Sequence, residues 1–209
     1  MGFEKDEVAG VLLAGGLSRR MGGGDKCLRD LGGRPILTRI VERAAPQVGA
    51  LVLNANGDPA RFDGFGLPVA ADVVEGYAGP LAGILTGLDW AAEHAPEARW
   101  LASFACDAPF LPDDLVARMM AAVAAEDADL ACAVTHGRTH PVFGLWRLDL
   151  REDLRRAMLE EEMRKVDRWT ARHKLVEVDF PDLETPAGLL DPFFNTNRPE
   201  DLEEAARYL

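Results

Sequence analysis

The stretch from residue 8 to residue 16 reads Val8-Ala9-Gly10-Val11-Leu12-Leu13-Ala14-Gly15-Gly16. This short apolar run ends in glycines, which is typical of a buried parallel strand that leads into a loop. The loop continues as Leu17-Ser18-Arg19-Arg20-Met21-Gly22-Gly23-Gly24-Asp25-Lys26. Ligands of an open parallel sheet bind outside the carboxyl ends of its strands, so this loop is the first candidate for a binding site.

The sequence after this run alternates between buried strands and amphipathic helices. Further strands are predicted at 51–53, 68–71, 100–105 and 129–134. Helices are predicted from Pro35 to Pro46, at 79–90 and at 115–124. The alternation predicts an α/β fold of three layers (α/β/α), with a Rossmann-like, mostly parallel sheet between two layers of helices.

The alternation weakens in the last third of the chain. Strands are expected at 141–148 and 175–180, helices at 151–159, 164–173 and 200–208, and a proline-rich loop at 181–192. No repeat, low-complexity tract or linker interrupts the sequence. A single domain over residues 1–209 is therefore expected.

The composition excludes several classes of protein. A formal net charge of −12 argues against a general nucleic-acid-binding surface, because affinity for the phosphate backbone depends on clustered Lys and Arg. Cys27, Cys106 and Cys132 lack the spacing of a zinc site and are expected to be reduced thiols. The acidic N-terminus is unlike a secretory signal, and no apolar run is long enough for a bilayer. A cytoplasmic location without a membrane partner is expected.

The loop at residues 15–26 combines glycines with three cations. The glycines allow backbone amides to approach an anion, and Arg19, Arg20 and Lys26 supply positive charge. Lys26 is followed by Cys27, which excludes the P-loop pattern, and the dinucleotide fingerprint of three spaced glycines is also absent. We interpret the loop as a cradle for a polyphosphate; the alternative is a glycine-rich surface turn with solvated charges.

Three polar residues follow predicted strands. Asn54, Asp72 and Asp107 each come at or just after a strand end, on the side where a ligand is expected. A carboxylate beside a cationic phosphate loop is how Mg²⁺ is usually held, so Asp107 is the candidate metal ligand. Asp107 could instead cap the following helix, and Asn54 and Asp72 could be turn residues.

The loop motif resembles the signature of nucleotidyltransferases of the sugar-nucleotide pyrophosphorylase type, and more narrowly that of molybdenum cofactor guanylyltransferases. The resemblance covers nearly the whole chain. It extends to Leu53-Asn54-Ala55-Asn56, Asp72, Gly79-Pro80-Leu81-Ala82-Gly83, Cys106-Asp107-Ala108-Pro109-Phe110, His140-Pro141 and Asn195-Thr196-Asn197-Arg198-Pro199. It implies the nucleotide-diphospho-sugar transferase type of fold, and a single nucleotidyltransferase domain.

The resemblance implies transfer of GMP from GTP to the terminal phosphate of molybdopterin, with release of pyrophosphate and with Mg²⁺ as cofactor. Molybdopterin would be handed over by cofactor-synthesis proteins or by the target molybdoenzyme. The implied nucleotide-binding residues are Leu13, Ala14, Gly15, Gly16, Lys26, Asn54, Asp72 and Asp107. Lys26, Arg20 and Mg²⁺ on Asp107 would stabilise charge on the α-phosphoryl group and the pyrophosphate, which requires electrostatic positioning rather than proton transfer.

The acceptor side is predicted from positive charge in the second half of the chain. His140, Arg138, Arg164, Lys165 and Arg168 could meet a phosphate-bearing pterin. Solvation of helix surfaces explains the last three equally well. The resemblance implies that Asn195 and Asn197, which form an Asn-x-Asn pattern, also lie on the acceptor side. These two residues could instead form a turn.

Three other functions stay open at this point. A cytidylyltransferase acting on the same cofactor typically has Leu-Ala-Ala-Gly where this chain has Leu13-Ala14-Gly15-Gly16. Because Gly15 lacks the methyl group of alanine, it leaves room for the larger purine base. Another small nucleotidyltransferase is a second alternative, although one that acts on a sugar phosphate usually has a longer chain. A non-catalytic nucleotide-binding protein in cofactor delivery is the third, but such a protein would not need Lys26 and Asp107. The chain departs from the family at Gly24, where an aliphatic residue or Pro is common, and at Thr196, where Val is expected. Neither position is expected to touch the residues that contact the metal or the phosphates.

Overall fold

The computed structural model describes residues 3–14, 25–74, 76 and 79–209, and the statements below refer to these residues. The strands are β1 (Val8–Leu13), β2 (Ala50–Asn54), β3 (Val69–Ala70), β4 (Trp100–Ala105), β5 (Leu130–Thr135), β6 (Arg138–Arg147), β7 (Leu175–Asp179), β8 (Leu183–Thr185) and β9 (Gly188–Leu190). The helices are α1 (Ile36–Ala44), α2 (Pro80–His94), α3 (Leu115–Glu126), α4 (Arg151–Glu160), α5 (Val166–Thr170) and α6 (Pro199–Ala205).

Seven of these strands form one sheet in the order β3-β2-β1-β4-β6-β5-β7. All neighbouring pairs are parallel except those of β6, which runs antiparallel to β4 and β5. The reversal comes from a two-residue turn, in which His136 and Gly137 have φ of 50° and 74°. Positive φ at both positions is the geometry of a type I′ hairpin. The prediction of a mostly parallel sheet is confirmed.

The helices cover both faces of the sheet, which confirms the three-layer prediction. On one face, α1 and α3 pack Ile36, Ile40 and Met119 into a core that also contains Phe104. On the other face, α2, α4 and α5 contribute to a second core, which contains Trp169. Each face of the sheet is thereby shielded from water, as a sheet of largely parallel strands requires.

Two predictions for the last third of the chain are wrong. The helix expected at 164–173 is only the short α5, because Lys165 is extended (φ −100°, ψ 127°) and caps it. The loop expected at 181–192 contains the hairpin β8-β9. The Thr185 hydroxyl forms its turn, since it donates to Gly188 O (2.7 Å) and accepts from Ala187 N (3.2 Å).

Three further expectations concern the chain as a whole. Cys27, Cys106 and Cys132 are buried and form no disulfide, as expected for reduced thiols. None of the helices in the described ranges has the length and apolar character needed to cross a membrane. The assignment of residues 1–209 to a single domain stays a prediction.

Candidate active site

The carboxyl ends of β2, β1 and β4 lie side by side and form the floor of the candidate site. Leu13 pairs with Asn54 of β2 on one side and with Ala105 of β4 on the other. The Ala14 amide donates to Asn54 O (2.9 Å), which extends the ladder one residue past β1. Because β1 separates β2 from β4, the outer two strand ends lie about 10 Å apart, which is two interstrand spacings.

Lys26 and Asp107 meet on the β4 side of this floor. The Lys26 ammonium donates to Asp107 Oδ2 at 3.0 Å and to Asn197 Oδ1 at 2.6 Å. The side chains of Lys26 and Asp107 are 20% and 24% exposed, so a ligand can reach both. Lys26 and Asp107, which the sequence predicted separately as a phosphate-binding cation and a metal ligand, therefore form an ion pair with each other.

The two cysteine thiols beside this ion pair add no charge. Burial raises the pKa of the Cys27 thiol to about 12. Burial also raises the pKa of Cys106 well above its usual value. Both thiols are neutral at physiological pH, so Asp107 supplies negative charge beside Lys26 without help from the adjacent cysteines.

Asp72 and two asparagines form a network on the β2 side of the floor. Asn54 Nδ2 donates to Asp72 Oδ1 (2.9 Å), and Asn56 Nδ2 donates to Asp72 Oδ2 (2.8 Å). The Asp72 amide in turn donates to Asn56 Oδ1 at 2.9 Å. Asn56 was not predicted as a site residue, although the Asn-x-Asn spacing places its side chain and that of Asn54 on one face of an extended chain.

Gly83 of α2 allows the helix to lie close to this network. A Cβ at this position would be 2.4 Å from Asn54 Oδ1 and 2.6 Å from Leu13 Cδ2. Asn54 is buried, with 3% of its surface exposed, and its amide is held by Asp72 and by Ala70 O. The glycine thus allows α2 to pack directly against Asn54 and Leu13 at the floor of the candidate site.

Arg61 connects Asp25, the residue before Lys26, to Asn56 on the β2 side of the floor. Its Nε lies 2.5 Å from Asp25 Oδ2, and its Nη2 donates to Asn56 O at 2.5 Å. It lies in the 3-10 helix Pro59–Phe65, which the sequence analysis did not identify. Arg61 therefore holds the residue before Lys26 and the asparagine network in a fixed relation.

The segment around Thr196 also touches the site, contrary to expectation. The Thr196 amide and hydroxyl both donate to Asp107 O, at 2.8 and 3.0 Å. Asn197, expected on the acceptor side, is bonded to Lys26. Asn195 precedes them in the same segment and is partly exposed.

His140 was predicted to add positive charge on the acceptor side. The structure instead buries its side chain. Its side chain is 7% exposed, its Nε2 lies 2.6 Å from Thr135 Oγ1, and its ring packs on Phe193 with 4.6 Å between centroids. Burial lowers the pKa of His140; Asp191 opposes this shift and Arg138 adds to it. The imidazole is a neutral part of the packing behind the strand ends.

The other acceptor-side cations are exposed. Arg164 and Lys165 lie in the connection from α4 to α5, and the Arg164 carbonyl is 4.0 Å from the place of a Cβ on Gly79, at the start of α2. Since α2 begins on the carboxyl side of the sheet, this connection borders the strand ends. Arg138 and Arg168 are exposed on β6 and α5.

Three predicted residues, Gly15, Gly16 and Arg20, lie outside the described residues, and their predicted roles stay predictions. Among the residues that the structure describes, no group of three or more His, Cys, Asp or Glu could hold a metal ion. A metal ion held by Asp107 stays a prediction; Mg²⁺ in proteins is usually bound through one or two carboxylates together with substrate phosphates.

Comparison of the sequence with known proteins identifies the family. The family model of the MobA-like NTP transferase domain matches residues 10–176. The molybdenum cofactor guanylyltransferase of Bradyrhizobium sp. (strain ORS 278) is 58% identical over 200 residues, which covers 96% of this chain and 92% of that protein.

Solved structures share the fold at much lower identity. Molybdopterin-guanine dinucleotide biosynthesis protein A from Archaeoglobus fulgidus superposes with a TM-score of 0.70 at 19% identity, covering 95% of this chain and 96% of that one. A Mycobacterium tuberculosis protein solved in complex with manganese gives 0.68 at 16% identity, covering 97% and 100%. The chain belongs to the MobA-like NTP transferase family and, within that family of nucleotidyltransferases, to the molybdenum cofactor guanylyltransferases.

Proposed function

We propose that this chain transfers GMP from GTP to the terminal phosphate of molybdopterin, releases pyrophosphate and uses Mg²⁺ at Asp107. The observation that carries the proposal is the ion pair of Lys26 with Asp107 Oδ2, at 3.0 Å, beside the strand ends. An ammonium and a carboxylate at this point are the groups that phosphoryl transfer requires from the protein. The family membership supports the same reaction and the same nucleotide.

A divalent cation fits the surroundings of Asp107. Its carboxylate already accepts a cation, the Lys26 ammonium, and it is partly exposed. Asp107 would hold Mg²⁺ together with triphosphate oxygens and water, and the manganese complex of the Mycobacterium tuberculosis protein supports a divalent ion in this fold. When bound, the ion supplies positive charge to the reacting phosphates.

Lys26 acts on the transferred phosphoryl group in the proposed reaction. The molybdopterin phosphate is largely ionised at neutral pH, since the second pKa of a phosphate monoester is about 6, so it needs no general base. One of its oxygens bonds to the α-phosphorus, and the bond from that phosphorus to the α,β-bridging oxygen breaks. Lys26 stabilises the charge that passes to the pyrophosphate, with Arg20 proposed to assist it.

The Asn54 and Asp72 network suits the nucleoside end of GTP. Among the described residues, the side chains that donate to the Asp72 carboxylate are neutral amides. Such a carboxylate would repel phosphates, but it can accept from ribose hydroxyls or from guanine N–H groups. Its strand end lies about 10 Å from that of β4, with Leu13 and Ala14 between them. A nucleotide bound across this floor has its base or ribose near Asp72 and its phosphates near Lys26.

The acceptor is proposed to bind on the side of the connection between α4 and α5. Arg164 and Lys165 supply exposed positive charge there, as the phosphate of a pterin requires. We also propose that molybdopterin is delivered by another protein of cofactor synthesis or by the recipient enzyme. The whole chain would act as one nucleotidyltransferase unit in the cytoplasm.

The test is a turnover assay with molybdopterin supplied on a carrier protein, Mg²⁺ and either GTP or CTP. Release of pyrophosphate with GTP is expected, and it should fall by at least about 100-fold in Asp107→Asn, which keeps the shape but removes the charge. Asp113→Asn is the control, because that aspartate is 76% exposed and pairs with Arg43 away from the site. Turnover with CTP alone would refute the guanylyl assignment, and full activity of Asp107→Asn would refute the metal assignment.

A further inference from the structure

The segment Asp191–Arg198, named here the C-terminal strap, runs across the carboxyl ends of β5 and β4 and is fixed at both ends. At its beginning, Asp191 Oδ1 accepts from Phe193 N (2.8 Å) and Asp191 Oδ2 accepts from the Thr135 hydroxyl (3.4 Å). At its end, the amides of Asn197 and Arg198 donate to one oxygen of the α6 residue Asp201, at 2.7 and 2.8 Å. The part between these anchors therefore has little freedom.

Thr196 lies in the middle of the strap and is fully buried. Its two donors, the amide and the hydroxyl, meet the same carbonyl oxygen of Asp107. Asp107 itself lies beyond the end of β4 and shortly before Pro109, which has no amide hydrogen to bond. Thr196 thus orients the peptide group from which the Asp107 carboxylate projects.

Asn197 makes the corresponding contact with the other member of the ion pair. Its side-chain oxygen accepts from the Lys26 ammonium at 2.6 Å, while the same ammonium donates to Asp107 at 3.0 Å. An ammonium has three donors, so two fixed bonds leave one for a phosphate. Two consecutive residues of the strap therefore hold the cation and the carboxylate at the same time.

We propose that Thr196 and Asn197 are positioning residues for nucleotidyl transfer, Thr196 through Asp107 and Asn197 through Lys26. This inference rests on the proposed function, because it assigns a role relative to GTP and Mg²⁺. The strap sets the distance between ammonium and carboxylate before the nucleotide arrives, so less ordering is needed on binding. The Thr196 hydroxyl adds a second bond to the Asp107 carbonyl, which an apolar side chain of the same shape could not make.

The first test uses Thr196→Val, which keeps the shape and the backbone bond but removes the hydroxyl. We expect the Mg²⁺ concentration for half-maximal pyrophosphate release to rise about fivefold, and the increase in melting temperature caused by Mg²⁺ with GTP to shrink. Thr196→Ser should restore both values. Thr170→Val is the matched control, because its buried hydroxyl bonds Asp167 O (3.2 Å) on α5, so it should lower the melting temperature only.

The second test uses Asn197→Ala, a change on an exposed residue that leaves the core intact. Without an acceptor on Asn197, Lys26 is less well fixed, so calorimetry should show GTP binding in the absence of metal weakened by about fivefold. The KM for GTP should rise in the same proportion, whereas the Mg²⁺ dependence should change less than in Thr196→Val.

The outcomes separate this proposal from the proposed function. If the wild-type protein releases no pyrophosphate from GTP, the proposed function fails. If the wild type turns over, and both Thr196→Val and Asn197→Ala match it in Mg²⁺ dependence and GTP affinity, the positioning role alone is refuted. If Thr196→Val does not fold, Asn197→Ala alone decides the matter, because unchanged GTP binding and an unchanged KM in that variant then overturn the proposal.

Discussion

Gly83→Ala tests whether the closeness of α2 to the Asn54 network matters for nucleotide binding. The added methyl group would lie 2.4 Å from Asn54 Oδ1, which is closer than non-bonded atoms approach. Asn54 cannot easily turn away, because it is buried and its amide donates to Asp72 and to Ala70 O. Either the helix moves away from the sheet or the asparagine leaves its partners.

The change in the free energy of unfolding caused by Gly83→Ala has three contributions. Alanine in place of glycine inside a helix gains about 1 kcal/mol. Overpacking a well-packed core costs about 1–3 kcal/mol, and a buried amide that loses its partner costs about 1–3 kcal/mol more. The net loss is about 3 kcal/mol, which corresponds to a fall in melting temperature of about 6–12 °C for a chain of this size.

The assay compares Gly83→Ala with Gly87→Ala, one turn later on the same helix. A Cβ on Gly87 would lie 2.8 Å from Val11 Cβ and 2.9 Å from Leu101 Cδ2, so this variant is overpacked against the apolar core and leaves the asparagine network alone. Both variants should have a lower melting temperature than the wild type. Only Gly83→Ala should also bind GTP more weakly than the wild type, by about tenfold in calorimetry. Equal GTP binding by the two variants would refute the reasoning.

Two further predictions concern Arg61 and His140. Arg61→Gln should raise the KM for GTP several-fold and should lower the free energy of unfolding by about 1 kcal/mol, because the ion pair of Arg61 with Asp25 is partly exposed. The control Arg43→Gln also removes an ion pair, that with Asp113, and should leave the KM unchanged. Equal KM values for the two variants would contradict the role of Arg61. Because burial lowers the pKa of His140, only the unfolded chain takes up its proton as the pH falls through about 6.5, so the wild type should lose stability below that pH. Urea unfolding from pH 7.5 to 5.5 should show a smaller loss in His140→Gln, and an identical loss would count against the assignment.

Much of the fold could be predicted because its signals are local. The apolar run at Val8–Leu13 and the strand Trp100–Ala105 are short, buried and bounded by turn residues, so their type is clear from the sequence. The hairpin β8-β9 was missed because Pro and Gly predict a turn without revealing the short strands on either side. The length of α5 was overestimated because exposed basic residues suit a helix and an extended cap equally well.

The candidate site divides in the same way. Asn54, Asp72 and Asp107 were predicted because each lies at or just after a strand end, and the ends of parallel strands share one edge of a sheet. Lys26 was predicted as a cation of the glycine-rich loop that follows the first strand. Asn56, Arg61 and Thr196 were missed as site residues. Arg61 reaches Asp25 and Thr196 reaches Asp107 across 36 and 89 residues of sequence, so no local pattern marks these contacts.

The sequence by itself determined the α/β sheet, because apolar periodicity acts over a few neighbouring residues, whereas the phosphate-binding role of the loop after the first strand stays a prediction. Only the tertiary structure decided that Asn197 accepts a hydrogen bond from Lys26 and that His140 is buried. Such assignments depend on which distant segments cross the strand ends. That choice is made by packing of the whole chain, and a side chain's burial and partners follow from it.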